Sequence, residues 1–132
     1  MRIAFRNDSQ FEKSAAAGVW HDRGVRYSPK RKQEALDLIS ARIENFNRSY
    51  RYSINRITIR NQRRRWGSCS RKGNLNFNYR IIRLPPALAD YIVVHELCHL
   101  EEFNHSPRFW SLIAQTMPDF RACRRALRTI TL

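Results

Sequence analysis

The sequence predicts an α+β fold in which a small, mostly antiparallel sheet packs against several helices. Two observations carry this prediction: short alternating apolar segments occupy the middle of the chain, and helical apolar periodicity lies on both sides of them. The chain has 132 residues, 42% of them hydrophobic, which suffices for one core but not for two ordinary domains. We predict a weakly defined N-terminal segment at residues 1–29 and one domain at residues 30–132.

Local signals define the elements of the first half. A Ser-Pro pair at residues 28–29 marks a helix start, and apolar residues at spacings of three and four extend this helix to about residue 48. Alternating apolar and polar residues predict strands at 56–60 and 74–79, and a further strand at 66–70 lies between them. Because the connections are short, we expect antiparallel neighbours.

Capping residues and prolines define three helices in the second half. A proline pair at residues 85–86 opens a helix that runs to about residue 100. Ser106 caps the next helix, which runs to about residue 116. Asp119 is expected to cap a last helix that ends near residue 128.

The chain is strongly basic, with 25 Lys and Arg residues against 11 Asp and Glu residues and a formal net charge of +14. Residues 45–89 contain no acidic side chain. The densest basic clusters are Arg60, Arg63, Arg64 and Arg65, and Arg121, Arg124, Arg125 and Arg128. A positive potential favours anionic substrates or polyanions, so we expect non-specific nucleic-acid binding through the first cluster. A solvated cationic surface without a specific partner is the alternative.

Composition also indicates the compartment. No run of about 18 apolar residues occurs, which excludes a membrane-spanning helix, and residues 1–10 lack the apolar region of a secretory signal. The three cysteines, Cys69, Cys98 and Cys123, are odd in number and far apart, which argues against a disulfide framework. We therefore expect a cytoplasmic protein with no membrane partner, and the oligomeric state is not indicated.

One motif carries chemistry: His95-Glu96-Leu97-Cys98-His99 lies within the helix predicted to end near residue 100. Residues four apart lie on one helix face, so the two imidazoles can bind one zinc ion. Glu96 then lies beside the open coordination position, where it can accept a proton from the metal-bound water. Two unpaired imidazoles in an apolar helix are costly, and a shared metal removes that cost.

A catalytic zinc ion needs a third protein ligand, and the candidates are His105, Glu101 and Glu102. Three ligands along one straight helix span about 10 Å and do not easily close a tetrahedron. If the helix ends near Glu102, a turn at Asn104 in the left-handed conformation brings His105 to the metal from the side. We therefore favour His105 over the two glutamates.

Residues around the motif have both structural and functional interpretations. The segment 66–69 is either an edge strand that pairs with an extended peptide or a tight turn. Asn78 either makes a strand-end hydrogen bond or orients a ligand or substrate group. Phe109 and Trp110 are predicted to pack the following helix over the metal-binding helix.

A wider set of residues carries a resemblance to a known family. The set is Arg65-Trp66-Gly67-Ser68-Cys69-Ser70, Asn78, Pro85, Asp90-Tyr91, His95-Glu96-Leu97-Cys98-His99-Leu100, Asn104-His105-Ser106 and Phe109-Trp110. Together they resemble the YgjP-like metal-dependent hydrolases, small zincin-fold proteins related to SprT-like metalloproteases. The resemblance implies a zincin fold with the sheet beside the metal-binding helix. It further implies that His95, His99 and His105 are metal ligands and that Glu96 is the catalytic base.

The leading functional prediction is a zinc-dependent hydrolase, specifically a metallopeptidase acting on a peptide or protein. The first alternative is a metal-dependent nucleoside-triphosphate pyrophosphatase that uses the arginines at 60–65, since the family has also been given such an activity. The second is a non-enzymatic nucleic-acid-binding module with a structural metal. Glu96 argues against the last, because a structural site has no use for that carboxylate.

Overall fold

The computed structural model describes residues 11–13, 20–22 and 26–132. In chain order the elements are β1 (Phe11–Lys13), β2 (Trp20–Asp22), α1 (Pro29–Tyr50), β3 (Arg56–Arg60), β4 (Gly67–Cys69), β5 (Asn74–Asn78), a 3₁₀ helix (Tyr79–Arg83), α2 (Pro86–His99), α3 (Pro107–Ala114), α4 (Phe120–Leu127) and β6 (Ile130–Thr131). The predicted α+β class is confirmed. The segment predicted at 1–29 lies largely outside the described residues, and the domain boundary near residue 30 stays a prediction.

The sheet next to α2 is mixed. Its central strand is β5, with β4 antiparallel on one side and β3 parallel on the other. The expected antiparallel pairing holds for β4 and β5, which are joined by a turn at Gly73 with φ of 81°. β3 runs parallel to β5 because β4 intervenes, and two successive reversals restore the original chain direction. β4 is therefore an edge strand of this sheet.

A second sheet joins the two ends of the described chain. β2 pairs antiparallel with β1 and parallel with β6, with Trp20 opposite Ile130. The sequence analysis did not predict β6, because a strand of two residues has no measurable alternation.

The helix α2 lies at the centre of the core. It contacts α1, α3, α4 and β4, so apolar residues cover nearly its whole circumference. Leu88, Val93, Val94 and Leu97 have no exposed surface. Close packing on all sides fixes the position of this helix, and it therefore also fixes the side chains near its C-terminal end.

Asn78 anchors the loop that leads into β4. Its Nδ2 donates to the backbone oxygens of Gln62 (2.6 Å) and Arg65 (3.0 Å), and its Oδ1 accepts from the backbone N–H of Arg80 at 3.0 Å. This confirms the structural interpretation of Asn78. The bond to Arg80 starts the 3₁₀ helix, so β5 ends at Asn78 and not at residue 79 as the alternation predicted.

Within the described residues, no helix combines the length and the hydropathy needed to cross a membrane.

Candidate metal centre

Three imidazoles converge at the C-terminal end of α2. The Nε2 atoms of His95 and His99 lie 3.1 Å apart, and the Nε2 of His105 lies 3.3 Å from the first and 3.2 Å from the second. A tetrahedral zinc ion with bonds of about 2.0–2.1 Å requires ligand nitrogens about 3.3 Å apart. The three nitrogens therefore fit one zinc-sized ion with a fourth position open.

The end of α2 explains how His105 reaches the other two histidines. The helix ends at His99, and the backbone N–H groups of Glu101 and Glu102 both bond to the oxygen of Cys98, which tightens the last turn. The predicted left-handed turn at Asn104 is wrong, since Arg51 is the non-glycine residue with positive φ in the described chain. Because α2 ends at His99 and not near Glu102, the chain brings His105 to the other histidines without a left-handed residue at Asn104.

Hydrogen bonds outside the cluster set the tautomer of at least one ring. The Nδ1 of His99 donates to the backbone oxygen of Glu102 at 3.0 Å, which leaves a lone pair on Nε2. The Nδ1 of His95 lies 3.3 Å from the hydroxyl of Tyr91. If His95 or His105 carries its proton on Nε2, that N–H can point at one of the other two Nε2 atoms but not at both. Hydrogen bonds within the cluster therefore cannot pair all three Nε2 atoms. A shared cation satisfies all three nitrogens at once.

Aromatic residues of α3 hold the rings in place. The ring of Phe109 stacks on His99 at a centroid distance of 4.3 Å and meets His95 and His105 edge-on at 5.0 and 5.1 Å. Trp110 stacks on His105 at 5.7 Å. Phe109 is fully buried and Trp110 partly so, which confirms that both pack α3 against α2.

Burial favours the neutral imidazoles of His95 and His99 by lowering their pKa values. Desolvation, reinforced by the two neighbouring imidazoles, lowers the pKa of His95 to about 3. Desolvation also lowers the pKa of His99, although its bond to the Glu102 oxygen acts in the opposite direction. Neutral imidazole is the form that binds metal, so the surroundings favour ligation.

Glu96 lies beside the cluster and is not one of its converging groups. It is 6% exposed, its Oε1 lies 4.0 Å from the Nε2 of His95, and its Oε2 has no hydrogen-bond partner among the described residues. Burial raises the pKa of Glu96 to about 8, against the opposing effect of the Arg65 guanidinium. A buried, unpaired carboxyl of this kind is suited to exchange a proton with a group in the cleft.

Gly67 on the edge strand β4 permits this position of Glu96. A Cβ atom at Gly67 would lie 3.0 Å from the Cγ of Glu96 and 3.1 Å from the backbone oxygen of Asn76. Both distances are shorter than ordinary van der Waals contacts. The absence of a side chain at Gly67 thus brings β4 directly over Glu96.

A cleft of about 360 Å³ opens beside Glu96 and His95, and we call it the metal-side cleft. It is lined by Gly67 of β4 and the preceding Trp66, and by Arg124 and Leu127 of α4 and the following Arg128. Sequence reasoning noticed the basic cluster of α4 but did not connect it with the site. Its helical spacing indicates a common face, but only the packing of α4 on α2 shows what that face borders.

Several predicted candidates lie outside the cluster. Among residues 26–132 the convergent ligand atoms include neither Glu101, which accepts from the hydroxyl of Tyr52 at 3.0 Å, nor Glu102. Of the arginines at 60–65, Arg65 lines the metal-side cleft, whereas the Nε of Arg60 bonds to Oδ1 of Asn76 at 2.9 Å.

Two solved structures with a similar fold are metallopeptidase zymogens. Pyrococcus abyssi abylysin has a TM-score of 0.59 and 24% identity, covering 68% of this chain and 90% of that chain. Methanocaldococcus jannaschii jannalysin has a TM-score of 0.57 and 24% identity, with the same two coverages. At this identity the likeness concerns the fold, and it confirms the predicted zincin-like class. No curated protein matches this chain.

Family membership follows from the sequence as a whole. The family model described as YgjP-like, metallopeptidase domain, matches residues 22–130, which include the three converging histidines, Glu96 and the cleft residues. The match extends over most of the chain and agrees with the resemblance found from the motifs. The protein therefore belongs to the YgjP-like metallopeptidase-domain family.

Proposed function

We propose that this protein is a zinc-dependent peptidase whose ligands are His95, His99 and His105 and whose general base is Glu96. One observation carries the proposal: three Nε2 atoms within 3.1–3.3 Å of one another lie beside a buried carboxylate with an unpartnered oxygen. Three neutral imidazoles form the donor set of a catalytic zinc site.

The residues of the chain have distinct tasks in this reaction. When bound, zinc supplies a Lewis acid and lowers the pKa of its water to about 7. Glu96 accepts a proton from the attacking water as the oxygen bonds to the peptide carbonyl carbon. Glu96 then delivers that proton to the leaving amine nitrogen as the C–N bond breaks. The ionised carboxylate of Glu96 is the acceptor in the first step, and the carboxylic acid formed there is the donor in the second.

The edge strand β4 is suited to orient an extended substrate. It pairs with β5 along one edge, and its Gly67 lines the metal-side cleft next to Glu96. An extended peptide can add to the free edge of such a strand through backbone hydrogen bonds. This arrangement supports a polypeptide substrate, in keeping with the metallopeptidase family of the chain.

Two measurements test the proposal. The purified protein should contain one zinc ion, and a denatured peptide library incubated with it should yield new amino termini. Glu96→Gln keeps the size of the side chain but removes the proton acceptor, so turnover should fall by about 10²–10⁴-fold while zinc content stays near one. Hydrolysis by Glu96→Gln at the wild-type rate would show that Glu96 is not the base.

A nucleoside-triphosphate pyrophosphatase activity remains the alternative, favoured by Arg65 in the metal-side cleft. Release of pyrophosphate from nucleoside triphosphates, measured beside peptide hydrolysis, distinguishes the two activities. Non-specific binding of DNA at low salt and a cytoplasmic location also stay predictions. The first is tested by elution from immobilised DNA with increasing salt.

A further inference from the structure

A row of arginines along α4 and at its C-cap borders the metal-side cleft and the groove beside it. Arg124 and Arg128 line the cleft, and the same two residues with Arg121 and Arg125 line a neighbouring groove of about 760 Å³ between α3 and α4. All four side chains are exposed. We call these four residues the arginine row.

The arginine row is not neutralised by the described part of the chain. No acidic side chain is among the described residues that line the groove. In the metal-side cleft the acidic residue is Glu96, which faces the histidines. The positive charge of the row reaches the site, since Arg124 and Arg128 line the same cleft as His95 and Glu96. The positive charge of the row is therefore open to an anionic ligand.

Aromatic rings hold the guanidinium groups in place. Arg124 lies over the ring of Trp110 at 4.7 Å and Arg121 over the ring of Phe120 at 5.1 Å. Stacked guanidiniums lose less side-chain entropy on binding, and their N–H groups remain free at the edges. The same stacking covers faces on which nucleic-acid bases would lie, so the row is better suited to carboxylates than to single-stranded nucleic acid.

We propose that the arginine row binds an acidic segment of the polypeptide substrate on one side of the scissile bond. From Arg121 to Arg128 the row rises about 10 Å along the helix, the length of about three extended residues. Because Arg124 and Arg128 line both the metal-side cleft and the groove, a peptide lying in the cleft contacts the row. This inference rests on the proposed peptidase function and names its substrate class.

Binding tests the inference without relying on catalysis. Fluorescence anisotropy of a labelled glutamate-rich peptide should be measured with the protein carrying Glu96→Gln, in which cleavage is slowed so that binding is measured before hydrolysis. A peptide with glutamine at the same positions and a single-stranded oligonucleotide of equal charge serve as comparisons. We expect the glutamate peptide to bind about tenfold more tightly than the glutamine peptide, as two exposed ion pairs would give.

Variants assign this preference to the arginine row. Arg124→Gln with Arg128→Gln should abolish the preference, whereas Arg48→Gln with Arg56→Gln removes the same charge from exposed sites lining neither cavity and should keep it. Charge reversal, Arg124→Glu with Arg128→Glu, should transfer the preference to a lysine-rich peptide. A merely damaged protein cannot gain affinity in this way, and unchanged melting temperatures check the fold.

The outcomes separate this inference from the proposed function. Equal weakening by both double variants would reduce the effect to net charge and overturn the inference. Tighter binding of the oligonucleotide that depends on Arg124 and Arg128 would assign the row to nucleic acid and also overturn it. Equal cleavage of glutamate and glutamine peptides would refute the substrate class but leave the peptidase intact. Selective binding without hydrolysis of any peptide would refute the peptidase but leave the acidic-peptide site.

Discussion

Gly67→Ala should separate catalysis from metal binding. The new Cβ would lie 3.0 Å from the Cγ of Glu96 and 3.1 Å from the backbone oxygen of Asn76, against about 3.5–4.0 Å for relaxed contacts. The oxygen of Asn76 belongs to the central strand β5, which is held by strands on both sides. The shift of about 0.5–1 Å that removes the close contacts is therefore expected mainly in Glu96 and β4. Overpacking of this kind costs about 1–3 kcal/mol, or roughly 4–12 °C in melting temperature for a chain of this size.

The displacement of Glu96 should reduce kcat/KM for a peptide substrate by about 10²-fold, because a reacting group misplaced by about 1 Å loses that much rate. Zinc content should stay at one ion, since the atoms near the added Cβ belong to Glu96 and Asn76 and not to a histidine. Metal analysis, thermal unfolding and peptide hydrolysis well below the melting temperature provide the three readouts.

Gly73→Ala is the matched control. Gly73 has φ of 81°, and a Cβ there would lie 3.4 Å from the backbone nitrogen of Asn55, far from the site. The strained backbone costs about 1–2 kcal/mol, so this variant should lose stability and keep its activity. Wild-type kcat/KM in a destabilised Gly67→Ala would refute the idea that this glycine positions Glu96. Loss of zinc would refute the separation of the two functions.

Three further predictions concern the histidine cluster and its supports. His99→Ala should abolish zinc binding. In thermal unfolding, excess chelator should lower the melting temperature of the wild type by about 10 °C and leave that of the variant unchanged. Phe109→Ala and Ile113→Ala each remove a fully buried side chain of α3 and should cost about 2–5 kcal/mol, but only the first should weaken zinc affinity in competition titrations. Asn78→Ala should cost about 3 kcal/mol in denaturant unfolding, because it removes three hydrogen bonds and leaves the backbone oxygen of Arg65 and the N–H of Arg80 without these partners, while the oxygen of Gln62 keeps the Arg80 guanidinium. Equal zinc affinity in both α3 variants, or an Asn78→Ala cost near zero, would contradict these assignments.

Most elements could be predicted because their signals are local. The Ser28 side chain accepts from the backbone N–H of Arg31 and that of Ser106 from Phe109, as N-caps do, so both helix starts follow from the sequence. Asp119 is the N-cap residue of α4, but its side chain makes no capping hydrogen bond. The predicted start of α4 was therefore correct, whereas the capping bond predicted for it was not. Strand direction was harder, since the parallel pairing of β3 with β5 depends on the path of the loop that Asn78 anchors.

The histidine cluster was accessible from sequence because it is built within eleven positions, 95–105, of one helix end and the turn after it. Helical spacing alone places His95 beside His99. The arginine row was visible only as charge. Its place at the metal-side cleft depends on the packing of α4 against α2, which no local pattern encodes.

The two halves of the proposed chemistry therefore differ in origin. The histidines belong to a contiguous segment, so a metal site of this kind needs little more than α2, the turn and the ring of Phe109. The buried state of Glu96 requires the edge strand β4, which comes from a distant part of the chain. β4 can approach Glu96 this closely because it carries glycine at position 67. Substitutions in this sheet should therefore displace Glu96 more than they displace the three histidines. Variants of Gly67 in β4 should accordingly lose turnover while they retain zinc, whereas loss of the Phe109 ring in α3 should weaken both.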